Sequence, residues 1–362
     1  MKNIFIPTSW QGERKLAGNK KRKRQRGVVL ILVLFIISGL SLVSIELNKT
    51  VLLDHIFSLT SRSILVSKPL LNTCETLAAL FLIRKEQTTE ESEYIANFAY
   101  TQKEFSQFVD IYNEQLKSGT IRIKLEDENA RFPIKAMFAE DSAGAQKAEI
   151  YQQMFERILV ALLIQHGYEG GIDAAKLCAR EFLESLLCWG GETSLSSEAR
   201  AWYLEHDPPY LPPLRPPENM AELLLLYWPS VDSELAKRVI SGTEDIPGLT
   251  DCCTLWSTGP LNINTVHPAV IYGFVDNDAV ASAFVETFMR MRANQEERLA
   301  PGWYRAVFES YGIALPSTLV MSEQSRWYRV TSEAGIGVRR LRSVSVGWIT
   351  KSYMQWVVRF LY

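Results

Sequence analysis

The side chains of this 362-residue chain best suited to acid–base, metal or thiol chemistry are four histidines and five cysteines. No two of His55, His166, His206 and His267 stand at a metal-ligand spacing, and there is no His-Glu-x-x-His. Cys74, Cys178, Cys188, Cys252 and Cys253 contain no Cys-x-x-Cys, so zinc and thioredoxin-like chemistry are not expected. An odd number of cysteines in an oxidising compartment leaves at least one free thiol or an intermolecular bond. On one straight helix Cys178 and Cys188 would lie about 15 Å apart. That is beyond disulfide reach, so a bridge would need the helix to end before Trp189, and free buried thiols fit equally well. Gly-x-Ser-x-Gly, a P-loop and a Gly-x-Gly-x-x-Gly after a strand are all missing. His206-Asp207 is half of a hydrolase dyad with no nucleophile in view, and beside prolines it reads as an exposed loop pair. These residues point away from catalysis.

Charge and hydropathy say more. Residues 1–27 carry nine Lys/Arg against one acid, Glu13, which is +8 and leaves −10 for residues 28–362. Such a split marks two pieces with different fates or locations. Val28 to Ile45 is an uncharged run of eighteen residues. As a helix it is about 27 Å long, close to the ~30 Å hydrocarbon core of a bilayer. Lys20-Lys21-Arg22-Lys23-Arg24-Gln25-Arg26 precedes it. Basic residues stay on the cytoplasmic side, so the segment is expected to insert with its N-terminus inside and residues 46–362 outside. A plain signal anchor fits this length. A cleaved secretory signal would need small residues after the apolar run, and Ser38, Ser41 and Ser44 are the available ones.

Beyond the anchor, Leu52, Leu53, Ile56 and Leu59 keep helical spacing, and Pro69 is expected to kink or interrupt the helix. Amphipathic spacing resumes from Leu70 to Ile83. Thr120–Leu125 alternates, with Ile121, Ile123 and Leu125 on one face, and Glu126-Asp127-Glu128-Asn129 then leads to Phe132 and Ile134, a hairpin pattern. Residues 146–189 read as two helices parted by Gly167, Gly170 and Gly171. One has Ile150, Met154, Ile158, Leu159, Leu162 and Leu163 on its apolar face; the other has Leu177, Phe182, Leu186 and Leu187. Six prolines in 208–217 make a stiff extended strap. Asn219 is a predicted N-cap for a helix through Leu223, Leu224, Leu226 and Tyr227, and another helix is predicted to start near Asp232 or Ser233. A helical stretch follows Pro268, and period-two strands close the chain (Tyr328–Val330, Val344–Trp348, Trp356–Phe360). Strands at 120–135 and 326–362 with helices between predict an α/β unit carrying a large helical insertion.

Several of these segments, in this order, resemble the K-type minor pseudopilin of type II secretion (general secretion pathway protein K family). The junction RQRGVVLILVLF resembles a prepilin peptidase site, with cleavage after Gly27 and N-methylation of Val28. Most pilins carry a glutamate five residues into the mature chain, and this chain has Leu32. A carboxylate in lipid is costly unless paired, and a subunit with leucine there lacks the family's intersubunit pairing, a feature similar to the K-type. The acidic turn at 126–134 resembles the K-type strand–turn–strand. Trp189, Glu198, Tyr203, Pro209, Tyr210, Asn219, Glu222 and Leu223 resemble the spacing of its helical domain. Leu261-Asn262-Ile263-Asn264-Thr265 running into Pro268 resembles the family's Asn-x-Asn-Thr entry, which implies that Asn262, Asn264 and Thr265 cap a helix. The loop after Trp189 departs from the family: Gly190-Gly191-Glu192-Thr193 stands where a calcium loop carries two aspartates. Ca²⁺ takes six to eight oxygens, and Glu192 with Glu198 is too few, so no metal or other cofactor is expected.

The resemblance implies an α+β protein with a pilin-like N-terminal transmembrane helix and an α/β head holding a large inserted, SAM-like helical region. Its parts are a basic leader removed at 1–27; an N-terminal helix at 28–84, transmembrane at 28–45; the first part of the α/β domain at 85–140; an inserted helical domain at 141–258; a second at 259–320; and completing strands at 321–362. It implies a non-enzymatic subunit in the bacterial inner membrane with a periplasmic head. Its partners would be prepilin peptidase and the other minor pseudopilins, at the tip of a pseudopilus that supports export across the outer membrane. The alternative is a signal-anchored competence or type IV pilus protein, or a periplasmic helix-hairpin-helix-like DNA binder opened by Asn262–Thr265. Gly273–Asp278 holds two acids in place of a glycine-rich hairpin, and a net −10 repels a polyanion, so nucleic acid is not expected as a partner.

Overall fold

The computed structural model describes residues 18–88, 98–116, 120–138, 144–257, 260–294, 302–315, 321–336, 339–350 and 352–361. Residues 1–17 of the basic leader and Gly259 lie outside these. The chain forms two compact units, Met1–Leu65 and Val66–Tyr362. Helix α1, Gly18–Thr88, contributes to both.

In the first unit, the side chains from Val28 to Leu59 are all exposed, including those of the uncharged run. The helix is long and apolar enough to cross a membrane by length and composition. A helix with apolar side chains on every side has no water-facing stripe to set its orientation on a core, so its surroundings must themselves be apolar.

In the second unit, α1 continues without interruption through Pro69. Proline's φ is already helical, and its missing N–H costs least on an exposed side. Pro69 is exposed, and its carbonyl accepts the Thr73 hydroxyl at 3.0 Å. The opposite stripe, Leu71, Cys74, Ala78 and Leu82, is buried. It packs in one core with Phe105 and Val109 of α2 (Phe98–Gln115) and with one face of a four-stranded sheet.

That sheet is antiparallel throughout: β1 (Thr120–Asp127), β6 (Trp327–Ile336), β7 (Arg339–Ile349) and β8 (Met354–Leu361), in that order. Leu125 stands opposite Val330, and Ile121 opposite Ala334. The period-two alternation of each segment therefore becomes a buried face and a more open face. The expected hairpin within 120–134 does not form. β1 pairs with the distant β6, while β2 (Phe132–Pro133) pairs in parallel with β3 (Cys253–Thr254). Between them Glu128–Ala130 makes a 3-10 turn, and Glu128 and the preceding Asp127 are buried rather than facing water as the acids of a hairpin tip would.

The remaining helices share a second core. α3 (Ala145–Gln165) and α4 (Gly171–Gly190) are the predicted pair. Met154, Ile158, Leu159, Leu162 and Leu163 are buried as predicted, but Leu177 is 66% exposed. The inner stripe of α4 is Ala175, Cys178, Phe182, Leu186 and Trp189, one position out of phase with Leu177. α5 (Ser197–Glu205) and α6 (Ser233–Ser241) begin at Ser196 and Asp232, whose side chains accept backbone N–H groups. α7 (Leu249–Cys252) precedes β3, β4 (Leu261–Asn262) pairs in parallel with β5 (Met321–Ser322), and α8 (Pro268–Tyr272), α9 (Asp278–Ala293) and α10 (Trp303–Ser310) complete the set. Side chains from 141–258 and from 259–320 line the same apolar core, as Ile158, Phe182, Val270 and Phe288 show.

Candidate functional site

The processing junction falls inside α1. Gly27 and Val28 are helical, and Val28 and Leu32 are 65% and 60% exposed. Leu32 is one of an unbroken series of exposed apolar side chains, with no carboxylate among residues 28–45.

The other site residues, Asn262, Asn264 and Thr265, meet the acidic turn. The Oδ1 atom of Asp127 accepts the backbone N–H of Asn129 at 2.8 Å. Its Oδ2 accepts Nδ2 of Asn262 at 3.0 Å together with the hydroxyls of Thr265 and Ser325. Asn262 also donates to Ser325 Oγ at 2.6 Å. Three stretches far apart in sequence thus converge on one buried carboxylate. Asn129 extends the joint. Its Nδ2 donates to Ser257 Oγ and to the Pro260 carbonyl, and its Oδ1 accepts the backbone N–H groups of Arg326 and Trp327. The side chain of Asn129 thereby satisfies backbone where the chain enters β6.

Neighbouring charges are arranged around the turn. Glu128 is fully buried, accepts Arg329 Nη2 at 2.8 Å and receives the Thr254 hydroxyl. Arg131 donates to the Thr250 carbonyl and to Glu126. Burial pushes the Glu126 carboxyl up, but Arg131 and Lys124 outweigh it and hold it below its ordinary value. Asp127 has four polar donors and no cation in contact, so burial prevails over its hydrogen bonds and pushes its carboxyl up to about 6. Burial also lowers the His267 imidazole.

The expected helix-capping role of Asn262, Asn264 and Thr265 is not what they do. His267 caps α8, its ring nitrogen accepting the Ala269 N–H at 3.2 Å. Asn262 turns the local chain by accepting the Asn264 N–H, Asn264 accepts the Trp303 indole N–H at 2.8 Å and donates to the Glu323 carbonyl, and Thr265 is committed to Asp127. The motif spends its polar groups on tertiary joints, and a residue closer to the helix is left to cap it.

The helical lobe brings Trp189, Tyr203, Tyr210, Asn219 and Glu222 together. Asn219 and Glu222 form a reciprocal capping box on the 3-10 helix Met220–Leu225, where a longer helix was predicted. Glu222 also accepts the Trp189 indole N–H at 3.1 Å, and the Tyr203 hydroxyl accepts the Tyr227 N–H. Glu198 lies apart from this cluster, in the exposed first turn of α5, where hydrogen bonds from its own backbone N–H and from Ser197 and Ser196 hold its carboxyl below the ordinary value. All five cysteines are free and buried, and Cys178 and Cys188 both lie on α4. Among the described residues, no group of three or more His, Cys, Asp and Glu is placed to hold a metal ion.

No family model matches this chain, and no curated protein matches it. Among solved structures, it is similar to a chain of the GspK-GspI-GspJ complex of the type 2 secretion system from enterotoxigenic Escherichia coli. The two are 16% identical, the match covers 75% of this chain and 97% of that one, and the TM-score is 0.42.

Proposed function

We propose that the protein is a non-enzymatic minor pseudopilin of a type II secretion machine, cut after Gly27 by prepilin peptidase, methylated on Val28 and anchored once in the inner membrane with its head in the periplasm. The observation that carries this reading is the exposed apolar stretch of α1 that begins at Val28, directly after the basic–glycine junction. From 28 to 65 such a helix is about 57 Å long, roughly twice the ~30 Å that lipid covers. The remainder, residues 46–65, mixes Glu46, Lys49, Asp54 and Arg62 with exposed Leu52, Leu53, Ile56, Phe57 and Leu65, an apolar share that neighbouring helices of a fibre would cover. A large head obstructs addition of a subunit above it, and Leu32 offers no carboxylate to a neighbour, so the position is the tip. The partners would be other minor pseudopilins, whose helices and heads would supply the packing surface.

The DNA-binding alternative would hold phosphate through backbone N–H groups, and those of Ile263, Asn264, Thr265 and Val266 already bond to Ser322 and Asn262. The test is co-expression of the full chain with prepilin peptidase and candidate minor pseudopilins, followed by detergent extraction and affinity isolation through the other subunits. Stoichiometric recovery of the processed chain supports the proposal. A chain that is processed yet always isolated alone contradicts its place in a tip complex.

A further inference from the structure

We infer that the lobe formed by α5, the proline strap and the Met220–Leu225 turn is a docking surface for a cationic, apolar segment of a partner protein. This goes beyond the anchoring and processing proposed above and does not depend on them. Rings and leucines that would ordinarily be buried stand open here. On the strap and the turn, Leu211 is 45% exposed, Leu224 46% and Leu225 42%. Leu211 follows half-buried Tyr210 in the chain, and half-buried Trp202 lies 5.4 Å from Tyr227 and 6.5 Å from Tyr210, with the exposed His206 ring 4.2 Å from Trp202, centroid to centroid. Tyr210 ties the surface together, donating its hydroxyl to the Leu225 carbonyl at 3.0 Å and its N–H to the Tyr203 carbonyl at 3.2 Å. Leucines and aromatics left open together on a water-facing lobe mark an interaction site, and tryptophan and tyrosine are the residues that concentrate binding energy. The strap's prolines hold it in shape before a partner arrives, which lowers the ordering cost of association.

Charge decides the occupant. Exposed Glu198 and Glu205 stand one turn before and one turn after Trp202 on the same face of α5, and Asp207 and Glu218 are exposed at the two ends of the proline strap. Of the two guanidiniums nearby, Arg200 is exposed on α5, and Arg215 is engaged by Glu218 and Glu222. An acidic rim on an apolar centre favours a segment with lysine or arginine between apolar side chains. It repels an anionic lipid surface.

The test uses the full chain in phosphatidylcholine nanodiscs, with empty discs as blank. The probes are two fluorescein-labelled peptides, one alternating Lys with Leu and one alternating Glu with Leu, followed by anisotropy. The Lys/Leu peptide is expected to bind at least about tenfold more tightly than the Glu/Leu peptide. Leu211→Gln, and separately the pair Glu205→Gln with Asp207→Asn, should each weaken it by about tenfold, and the pair should also flatten its salt dependence. These side chains are exposed, so the variants keep the fold. Equal affinity for both peptides, or an unchanged affinity in both variants, overturns the inference. So would co-sedimentation with phosphatidylglycerol vesicles that Leu211→Gln abolishes, which would assign the patch to lipid.

Discussion

The amide nitrogen of Asn262 donates to the carboxylate of Asp127 at 3.0 Å, although 135 positions separate them. Asp127 ends the first strand of the sheet, and Asn262 ends a short strand among the helices. The carboxylate is therefore a joint between the sheet and the helical part of the head. A buried joint of this kind is stabilising only while every member is satisfied.

Asp127→Ala should be among the most damaging single changes in the head. It leaves the donors of Asn262, Thr265 and Ser325 without their shared acceptor in a buried site. Each stranded group costs about 1–3 kcal/mol, so a total loss of about 3–5 kcal/mol is expected. Urea unfolding followed by tryptophan fluorescence measures it.

The same group gives a pH signature. Its carboxyl is raised from an ordinary 3.8 to about 6 in the folded protein. Between about pH 4 and pH 6 the native state therefore binds more protons than the unfolded state, and stability falls as pH rises. The contribution is full below about pH 4 and gone above about pH 6. Glu126 and His267 shift downward and act in the opposite sense, so the comparison must be with Asp127→Asn, which removes only the one titration. The melting-temperature difference, wild type minus variant, should shrink from pH 4.5 to pH 7.5. A constant difference would show that Asp127 does not titrate in this range.

Glu75 supplies a second test. It is buried on α1, accepts the Ser345 hydroxyl at 2.6 Å and pairs with Arg359 on the edge strand. Removing the partner of a buried charge costs about 3 kcal/mol or more, less here because Arg359 is half-exposed. Arg359→Ala should thus lose about 1–3 kcal/mol. In a Glu75→Gln background, which has no buried charge to strand, the same change should cost less than half as much. A double-mutant cycle by chemical denaturation reads the difference.

Gly248 is required by close backbone approach. A Cβ there would overlap the Gly242 nitrogen and sit 2.7 Å from the Ile240 carbonyl oxygen. Those atoms are backbone and cannot swing aside. Gly248→Ala should lower stability by about 2 kcal/mol or more, seen as a drop in melting temperature. An unchanged melting temperature would mean the turn relaxes freely.

Much of this architecture is legible in the residues themselves. The alternation of Ile121, Ile123 and Leu125 reports a half-buried strand, and Asn219 with Glu222 reports a cap, because both patterns are decided by near neighbours. Strand pairing is not local. Glu126-Asp127-Glu128-Asn129 looks like a solvent-facing turn because acids are costly to bury. What reverses that expectation is a set of donors, at 262, 265 and 325 for Asp127 and at 254 and 329 for Glu128, which no spacing rule connects to the acids. Asn262 and Thr265 stand out in the sequence as polar residues between apolar ones, but their role as partners of a distant acid rather than as caps is visible only in three dimensions. Leu177 shows a smaller failure of the same kind, since an apolar residue one step off the inner stripe is simply left outside.

The proposed pseudopilin role rests on cleavage at one peptide bond. Intact-mass measurement of the full chain co-expressed with a prepilin peptidase, beside a Gly27→Leu variant, tests it most directly. The account predicts loss of residues 1–27 with one methyl group on Val28, and an uncut variant that still inserts in the membrane. A wild-type chain that keeps its leader, or is cut near Ser44, would contradict it.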